Sequence, residues 1–334
     1  MSSHCISFDD VKAAHERVKP FVHCTPVLTN SYFTGESGRS GVYFKAEAFQ
    51  KTGSFKFRGA TNAVQSLSDE VAAAGVCTHS SGNHAQALSV AARNRGIPAH
   101  IIMPDTAPAP KQAAVRGYGA NVTICSPTER EAECSKISKA TGATVIHPSE
   151  NPRVIAGQGT VSLELVEQVK EMLPDGEKID VVIIPVGGGG LASGNSVGLR
   201  GLLGDGVKIV LAEPEIADDA FRSKAAGELL GHPTATPPNS VADGLKTTLG
   251  PNTWPIVRDL VDEIMTVSEA EIMRCTRVCW ERMKVCIEPS AGTGLGVLLS
   301  DEFKTKYPVD EYKNVAVVLC GGNVDIIKFA EMVK

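Results

Sequence analysis

The stretch DVVIIPVGGGGLASGN, residues 180–195, decides the fold. Val181 to Val186 form an unbroken apolar run that ends abruptly in Gly187, Gly188, Gly189 and Gly190. A strand apolar on both faces has to be covered on both, which is the setting of a parallel sheet in an α/β protein. KIVLAEPE (208–215) and NVAVVLCGGN (314–323) repeat the form, an apolar strand followed by a small or polar turn. An earlier set begins with GVCTHSSGNHAQALSVAARNRG (75–96), which reads strand, turn, helix. PAHIIMPDTAPAPKQAAVRGYG (98–119) reads the same way, and ANVTICS (120–126) starts a third unit. We therefore expect a small domain over 76–147 and a larger one from 1–68 and 152–334, joined by segments 69–75 and 148–151. HPSENPRVIAGQGT (147–160), punctuated by Pro and Gly, leads the chain back into the larger domain.

Composition narrows the function. The chain has 334 residues, with 33 Lys+Arg against 38 Asp+Glu and a formal charge of −5. Apolar residues make up 43%, charged residues 21% and aromatics 5%, which excludes a disordered or low-complexity chain. A mildly acidic chain without a basic stripe is a poor nucleic-acid binder. No run approaches the ~18 apolar residues of a membrane span. The first twenty residues lack a signal-peptide core and a transit-peptide pattern, so a cytosolic address is expected. Nine cysteines, an odd number without close pairs, read as reduced thiols. Cys275, Cys279 and Cys286 have helical spacings and read as one buried helix face rather than a metal site.

Several motifs can carry chemistry. Lys56, in FQKTGSFKFRGATNAV (49–64), follows a Gly-Ser turn at the start of a helical run. The helix dipole and the neighbouring Lys51 and Arg58 should lower its pKa, which suits a Schiff-base nucleophile; a surface lysine is the plain alternative. Ser80, Ser81, Gly82, Asn83 and His84 lie between a strand and a helix, where free amides and hydroxyls suit a carboxylate. A simple N-cap by Ser80 or Ser81, with His84 structural, is the alternative. The tetraglycine lets several amides converge on a phosphate. It also meets the loose G-x-G-x-x-A form, with Glu213 at the distance of a ribose ligand, so a nicotinamide-dependent oxidoreductase stays open. Glu213 to Asp219, EPEIADD, suits a hard cation or a solvated acidic loop. Cys320 ends a strand before a Gly-Gly turn.

The order of these motifs resembles one family. S-F-K, S-S-G-N-H, G-G-G-G-L and a strand-end C-G-G-N follow one another as in fold-type II pyridoxal-phosphate enzymes of the serine/threonine dehydratase group. Within that group the chain looks most like the eukaryotic serine racemases. TPVLTNS (25–31), EPEIADD (213–219), SVADGLKTT (240–248), NTWPIVRDLVDEI (252–264), WERMK (280–284) and EPSAG (288–292) all look like that subgroup's segments, and they span nearly the whole chain. The resemblance implies a tryptophan-synthase-β-like α/β fold of two domains, each a mostly parallel sheet flanked by helices. It implies racemisation of serine together with elimination to pyruvate and ammonia. The alternative is a dehydratase acting on serine, threonine or 3-hydroxyaspartate.

The resemblance also implies roles. Lys56 would hold pyridoxal phosphate as a Schiff base and take the substrate α-proton from one face, with Phe55 packed beside the ring. Ser81 matches the racemases' acid/base on the opposite face. Asn83 would bond the ring hydroxyl, Gly187 to Gly190 and the Leu191 amide would cradle the phosphate, and Cys320 would face the ring nitrogen. Ser80, Ser81, Asn83, His84, Arg130 and Thr247 would surround the substrate. Ser149 stands where the racemases carry Asn. Glu213, the Ala217 carbonyl and Asp219 would hold Mg²⁺ or Ca²⁺. Lys51, Gln86, Tyr118, Lys284 and Asn323 match contacts of an activating ATP at the interface of a homodimer.

Overall fold

The computed structural model describes residues 4–80, 82–107, 109–234 and 238–332. Among them the apolar runs become parallel strands, as their composition requires. One sheet has six strands: β1 (Val27–Leu28), β2 (Gly41–Ala46), β7 (Val181–Pro185), β8 (Lys208–Pro214), β9 (Glu263–Val267) and β10 (Asn314–Leu319). Their order is β1-β2-β10-β7-β8-β9, and only β1 runs antiparallel to its neighbour. All of β7 and β10 is buried, because helices cover both faces. The second sheet has β3 (Val76–His79), β4 (Ala99–Pro104), β5 (Asn121–Cys125) and β6 (Thr144–Val145) in the order β5-β4-β3-β6, all parallel.

Each sheet has its own apolar core. Val182, Ile183, Val210, Leu211, Val317 and Val318 are central to the larger one. Leu88, Ile101 and Met103 back the smaller sheet, joined by Phe57, Ala60, Ala63 and Val64 from the helix Lys56–Gln65. That helix also lies against the long helix Pro152–Met172. The two come so close that a Cβ on Gly157 would sit 2.7 Å from the Gly59 Cα, and one on Gly59 would sit 2.7 Å from the Val154 carbonyl. In the segment between the two sheets, Glu150 accepts hydrogen bonds from the Asn252 amide and the Thr253 hydroxyl, both at 2.8 Å.

Beneath the Lys56–Gln65 helix lies a fully buried ion network. The Arg58 guanidinium donates to Glu47 at 2.8 Å and to Glu164 at 2.7 Å, and Lys45 donates to Glu164 at 2.7 Å. Thr25 Oγ1 donates to Glu47 at 2.5 Å. Two cations thus face two carboxylates, and the nearby carboxylates hold the Arg58 pKa up against burial. Removing one partner of such a set leaves an uncompensated buried charge. Arg58→Met should lower the unfolding free energy by about 3–5 kcal/mol, read from the midpoint of urea unfolding. A loss within the ordinary surface range, below about 0.5 kcal/mol, would show that the network does not stabilise the fold.

Candidate active site

The carboxyl ends of both sheets open on one cleft of about 430 Å³. That is where an open α/β sheet places its ligands, since the turns there lead into helix N-termini. Lys56, Asn83, the tetraglycine and Cys320 come from four distant parts of the chain and all line it.

Lys56 opens the helix Lys56–Gln65 and points into the cleft, its amine donating to the Pro148 carbonyl at 3.0 Å. Burial lowers its pKa to about 8, against the opposing pull of Cys320 and Glu288. The lowering expected from sequence is present, but its cause is different. Arg58 turns away into the ion network and Lys51 donates to the Phe21 carbonyl, so desolvation does what like charges were expected to do. The Phe55 ring centroid lies 5.1 Å from the Lys56 amine. The backbone here is stitched to the turn after β10. Phe55 N donates to the Cys320 carbonyl at 3.1 Å, and Gly322 N donates to the Gly53 carbonyl at 2.9 Å.

Cys320 is buried at the end of β10, where burial and then Glu288 push its thiol well up. It therefore stays neutral. The Asn83 amide donates to both oxygens of Glu288, at 2.9 and 3.1 Å, and its carbonyl accepts from Asn323 at 2.8 Å. Glu288 is one of the cleft residues that sequence reading missed. It lay inside the quoted EPSAG segment, but a lone glutamate before a proline carries no signal of its own. In the structure it is buried just ahead of the helix Pro289–Leu299.

Ser80 does not cap the next helix. Its hydroxyl accepts from the Gly82 amide at 3.4 Å, while the helix Asn83–Arg95 begins after Gly82 with no side-chain cap. Its first amides are thus left for a ligand. Ser81 lies outside the described residues. His84 is buried against the Ile146 carbonyl at 3.1 Å, and burial followed by Lys56 drops its pKa to about 3. It is therefore a neutral imidazole. His79 and His147, unremarked in the sequence, meet edge to face across the cleft wall with ring centroids 5.7 Å apart. Burial and then His79 lower His147 to about 4. Arg130, Thr247 and Ser149 also line the cleft. Arg130 starts the helix Arg130–Thr141 and donates to the Pro127 carbonyl at 2.9 Å.

Gly187 to Gly190 join β7 to the helix Gly190–Leu203, which has no side-chain cap. Gly189 has φ +78°, in the left-handed region that glycine tolerates. A Cβ on Gly188 would stand 2.7 Å from Ser149 Oγ, so the turn has no room for side chains. Uncapped amides at one end, a partly neutral amine at the other, and a neutral thiol and an amide between them fit a group with a phosphate, an aromatic ring and a carbonyl.

The carboxylate site lies apart from these residues. Glu213, at the end of β8, accepts from the amides of Ala220 and Phe221 at 2.9 and 2.8 Å. Asp219 accepts from the Leu249 amide at 2.9 Å with one oxygen, while its other oxygen is buried without a hydrogen-bond partner, 3.9 Å from the His232 ring nitrogen. Burial and then Asp219 raise Glu213 to about 9, and burial raises Asp219 to about 6. Among the described residues no three His, Cys, Asp or Glu side chains are grouped to hold a metal. Two buried carboxylates with an orphaned oxygen fit a cation.

Among the described residues no hydrogen bond joins any two of Lys51, Gln86, Tyr118, Lys284 and Asn323. Gln86 is buried in its helix, Tyr118 lies under Arg93 with 5.7 Å from guanidinium to ring centroid, and Lys284 donates to the Glu281 carbonyl. Cys275 and Cys279 are buried on the helix Glu269–Met283, as expected, whereas Cys286 lies beyond that helix and is exposed.

Comparison with known proteins agrees with the geometry. Residues 18–321 match the family model described as pyridoxal-phosphate dependent enzyme. The serine racemase of Homo sapiens is 46% identical, with 100% of this chain and 96% of that protein covered. Among solved structures, the serine racemase of Dictyostelium discoideum superposes with a TM-score of 0.89 at 45% identity, covering 96% of this chain and 100% of that one. Maize serine racemase gives a TM-score of 0.92 at 42% identity, covering 99% and 97%. With nearly its whole length matched and its lysine, glycine turn and thiol gathered in one cleft, this chain belongs to the pyridoxal-phosphate dependent enzymes.

Proposed function

We infer that this protein interconverts L- and D-serine with pyridoxal phosphate and also eliminates serine to pyruvate and ammonia. The observation that carries the reading is the Lys56 amine, held in the cleft with its pKa lowered to about 8. The match to serine racemases over nearly the full chain names the substrate.

Bound pyridoxal phosphate supplies a carbonyl that condenses with amines and a conjugated ring that accepts the electron pair left when the α-proton departs. The residues of the chain do the rest. The glycine-turn amides and Leu191 N would hold its phosphate without a counter-cation. Phe55 would pack beside its ring. Cys320, held as a neutral thiol, would meet the ring nitrogen without taking up charge. Asn83, oriented from behind by Glu288 and Asn323, would bond the ring hydroxyl. The uncapped amides of the first turn of the Asn83–Arg95 helix, with Ser80, Ser81, His84, Arg130 and Thr247, would bind and orient the amino acid. Lys56 removes the α-proton from one face, since near pH 8 a good part of it is neutral. Ser81 returns a proton to the opposite face. Loss of the substrate hydroxyl after the same abstraction gives elimination instead.

We further propose Mg²⁺ or Ca²⁺ at Glu213, the Ala217 carbonyl and Asp219, on the ground of two buried carboxylates, one with an oxygen that accepts no hydrogen bond. The likeness to racemases extends the proposal to an activating ATP at a homodimer interface, bound by Lys51, Gln86, Tyr118, Lys284 and Asn323.

Three outcomes test this reading. Apoprotein mixed with pyridoxal phosphate and reduced with borohydride should carry the cofactor on the Lys56 peptide. Because the neutral amine is the nucleophile, trapping should quicken as pH rises through about 8 and level off above it; Lys56→Ala should stay colourless. Label on any other lysine ends the proposal. In a chiral product assay with L-serine, Ser81→Ala should nearly abolish D-serine formation while leaving pyruvate production measurable. Equal loss of both would remove Ser81 from its role. Millimolar Mg²⁺ or Ca²⁺ should raise the melting temperature, because a ligand bound only by the folded state stabilises it. Asp219→Asn should lose most of that increment, and an unchanged increment would exclude this cation site.

A further inference from the structure

Two thiols that the reaction does not use face each other in the smaller sheet's outer layer. Cys77 lies on β3, and Cys134 lies on the helix Arg130–Thr141 that covers it. Their sulfurs are 3.8 Å apart, with the Cys134 thiol donating to Cys77. A disulfide has a sulfur separation of about 2.05 Å, so small side-chain shifts would close the gap. The hydrogen bond from Cys134 lowers the Cys77 pKa against the effect of burial and favours its thiolate.

The helix carrying Cys134 is lightly held. Cys134 is its buried residue, and otherwise it packs through half-buried Ile137. Little apolar burial means a low cost of local opening, which gives a small oxidant access to both sulfurs. The same helix reaches the cleft. Arg130 and Glu131 in its first turn line the cleft, and Cys134 is one turn further on. On β3, His79 shares the face of Cys77 and also lines the cleft.

We propose that Cys77 and Cys134 form a reversible disulfide that ties the Arg130 helix to β3 and weakens substrate binding. The oxidant is a hydroperoxide. The Cys77 thiolate takes one peroxide oxygen and releases hydroxide. The Cys134 sulfur then displaces that oxygen as water. Two thiols and one hydrogen peroxide thus become one disulfide and two waters, the thiols losing two electrons and the peroxide gaining them. Disulfides in reducing compartments are typically of this transient, sensing kind. The consequence for substrate rests on serine being bound in the cleft, but the cross-link does not.

The test titrates holoenzyme with hydrogen peroxide, alkylates the remaining thiols and maps peptides without reductant. The expected product is a peptide joining Cys77 to Cys134, lighter by two hydrogens than its parts and absent after dithiothreitol. KM for L-serine should rise several-fold with kcat less affected, and dithiothreitol should restore it. Under the same peroxide, C134S and C134A should each keep their KM. The proposal is overturned if both thiols alkylate freely at peroxide doses that oxidise the exposed Cys24 and Cys286. It is equally overturned if Cys134 links to Cys125 instead, or if the linked protein keeps its KM. A protein that forms the link but never turns over serine refutes the serine reading while leaving the cross-link standing.

Discussion

Arg58 and its two carboxylates set the position from which the cleft is built. On a helix, residues two apart point to nearly opposite sides, so the geometry that buries Arg58 turns Lys56 into the cleft. Glu47 follows β2 in the chain and Glu164 sits on the long helix Pro152–Met172, so the guanidinium ties three elements together. Charges taken out of water are satisfied in few arrangements. A slip of the Lys56–Gln65 helix would leave a buried carboxylate without its partner. The lysine thus gains its location from a residue two positions away that never touches the site.

Around that lysine the cleft is poor in titrating groups near neutral pH. His84 and His147 are held neutral by burial, and Cys320 is held as a thiol. Glu288 spends its oxygens on the Asn83 amide. Under the proposed function, proton traffic would be left to Lys56 and Ser81, which is what a reaction of opposite-face transfers needs. Serine racemisation and elimination share their first proton removal, and the chain's own contribution is to fix where that proton goes.

Much of this was legible from residues alone. The strands of the larger sheet were visible because fully buried parallel strands are uniformly apolar, and DVVIIPV and NVAVVL can be nothing else. The tetraglycine and Cys320 could be singled out because turns at strand ends concentrate ligand-facing groups, whereas Lys56, which alone reads equally as a surface lysine, was picked out by the order of the motifs. What stayed hidden were interactions between distant positions. Arg58 reads as a like-charged neighbour of Lys56, and only the fold reveals Glu164, 106 residues away, as its partner. Glu288 is invisible for the same reason, lying 205 residues from the Asn83 that it orients. Cys77 and Cys134 show no spacing rule, because a strand and its covering helix set their proximity.

The contact of Gly59 with Gly157 also bears on how such a chain drifts. A methyl on Gly157 would run into the Gly59 backbone, and one on Gly59 would run into the Val154 carbonyl and the Gln158 side chain. Backbone atoms cannot be trimmed, so no substitution elsewhere offsets a methyl gained at either position. Neutral variation therefore has no single-step route out of the crossing. Substitutions should accumulate everywhere around it while those two positions stay still.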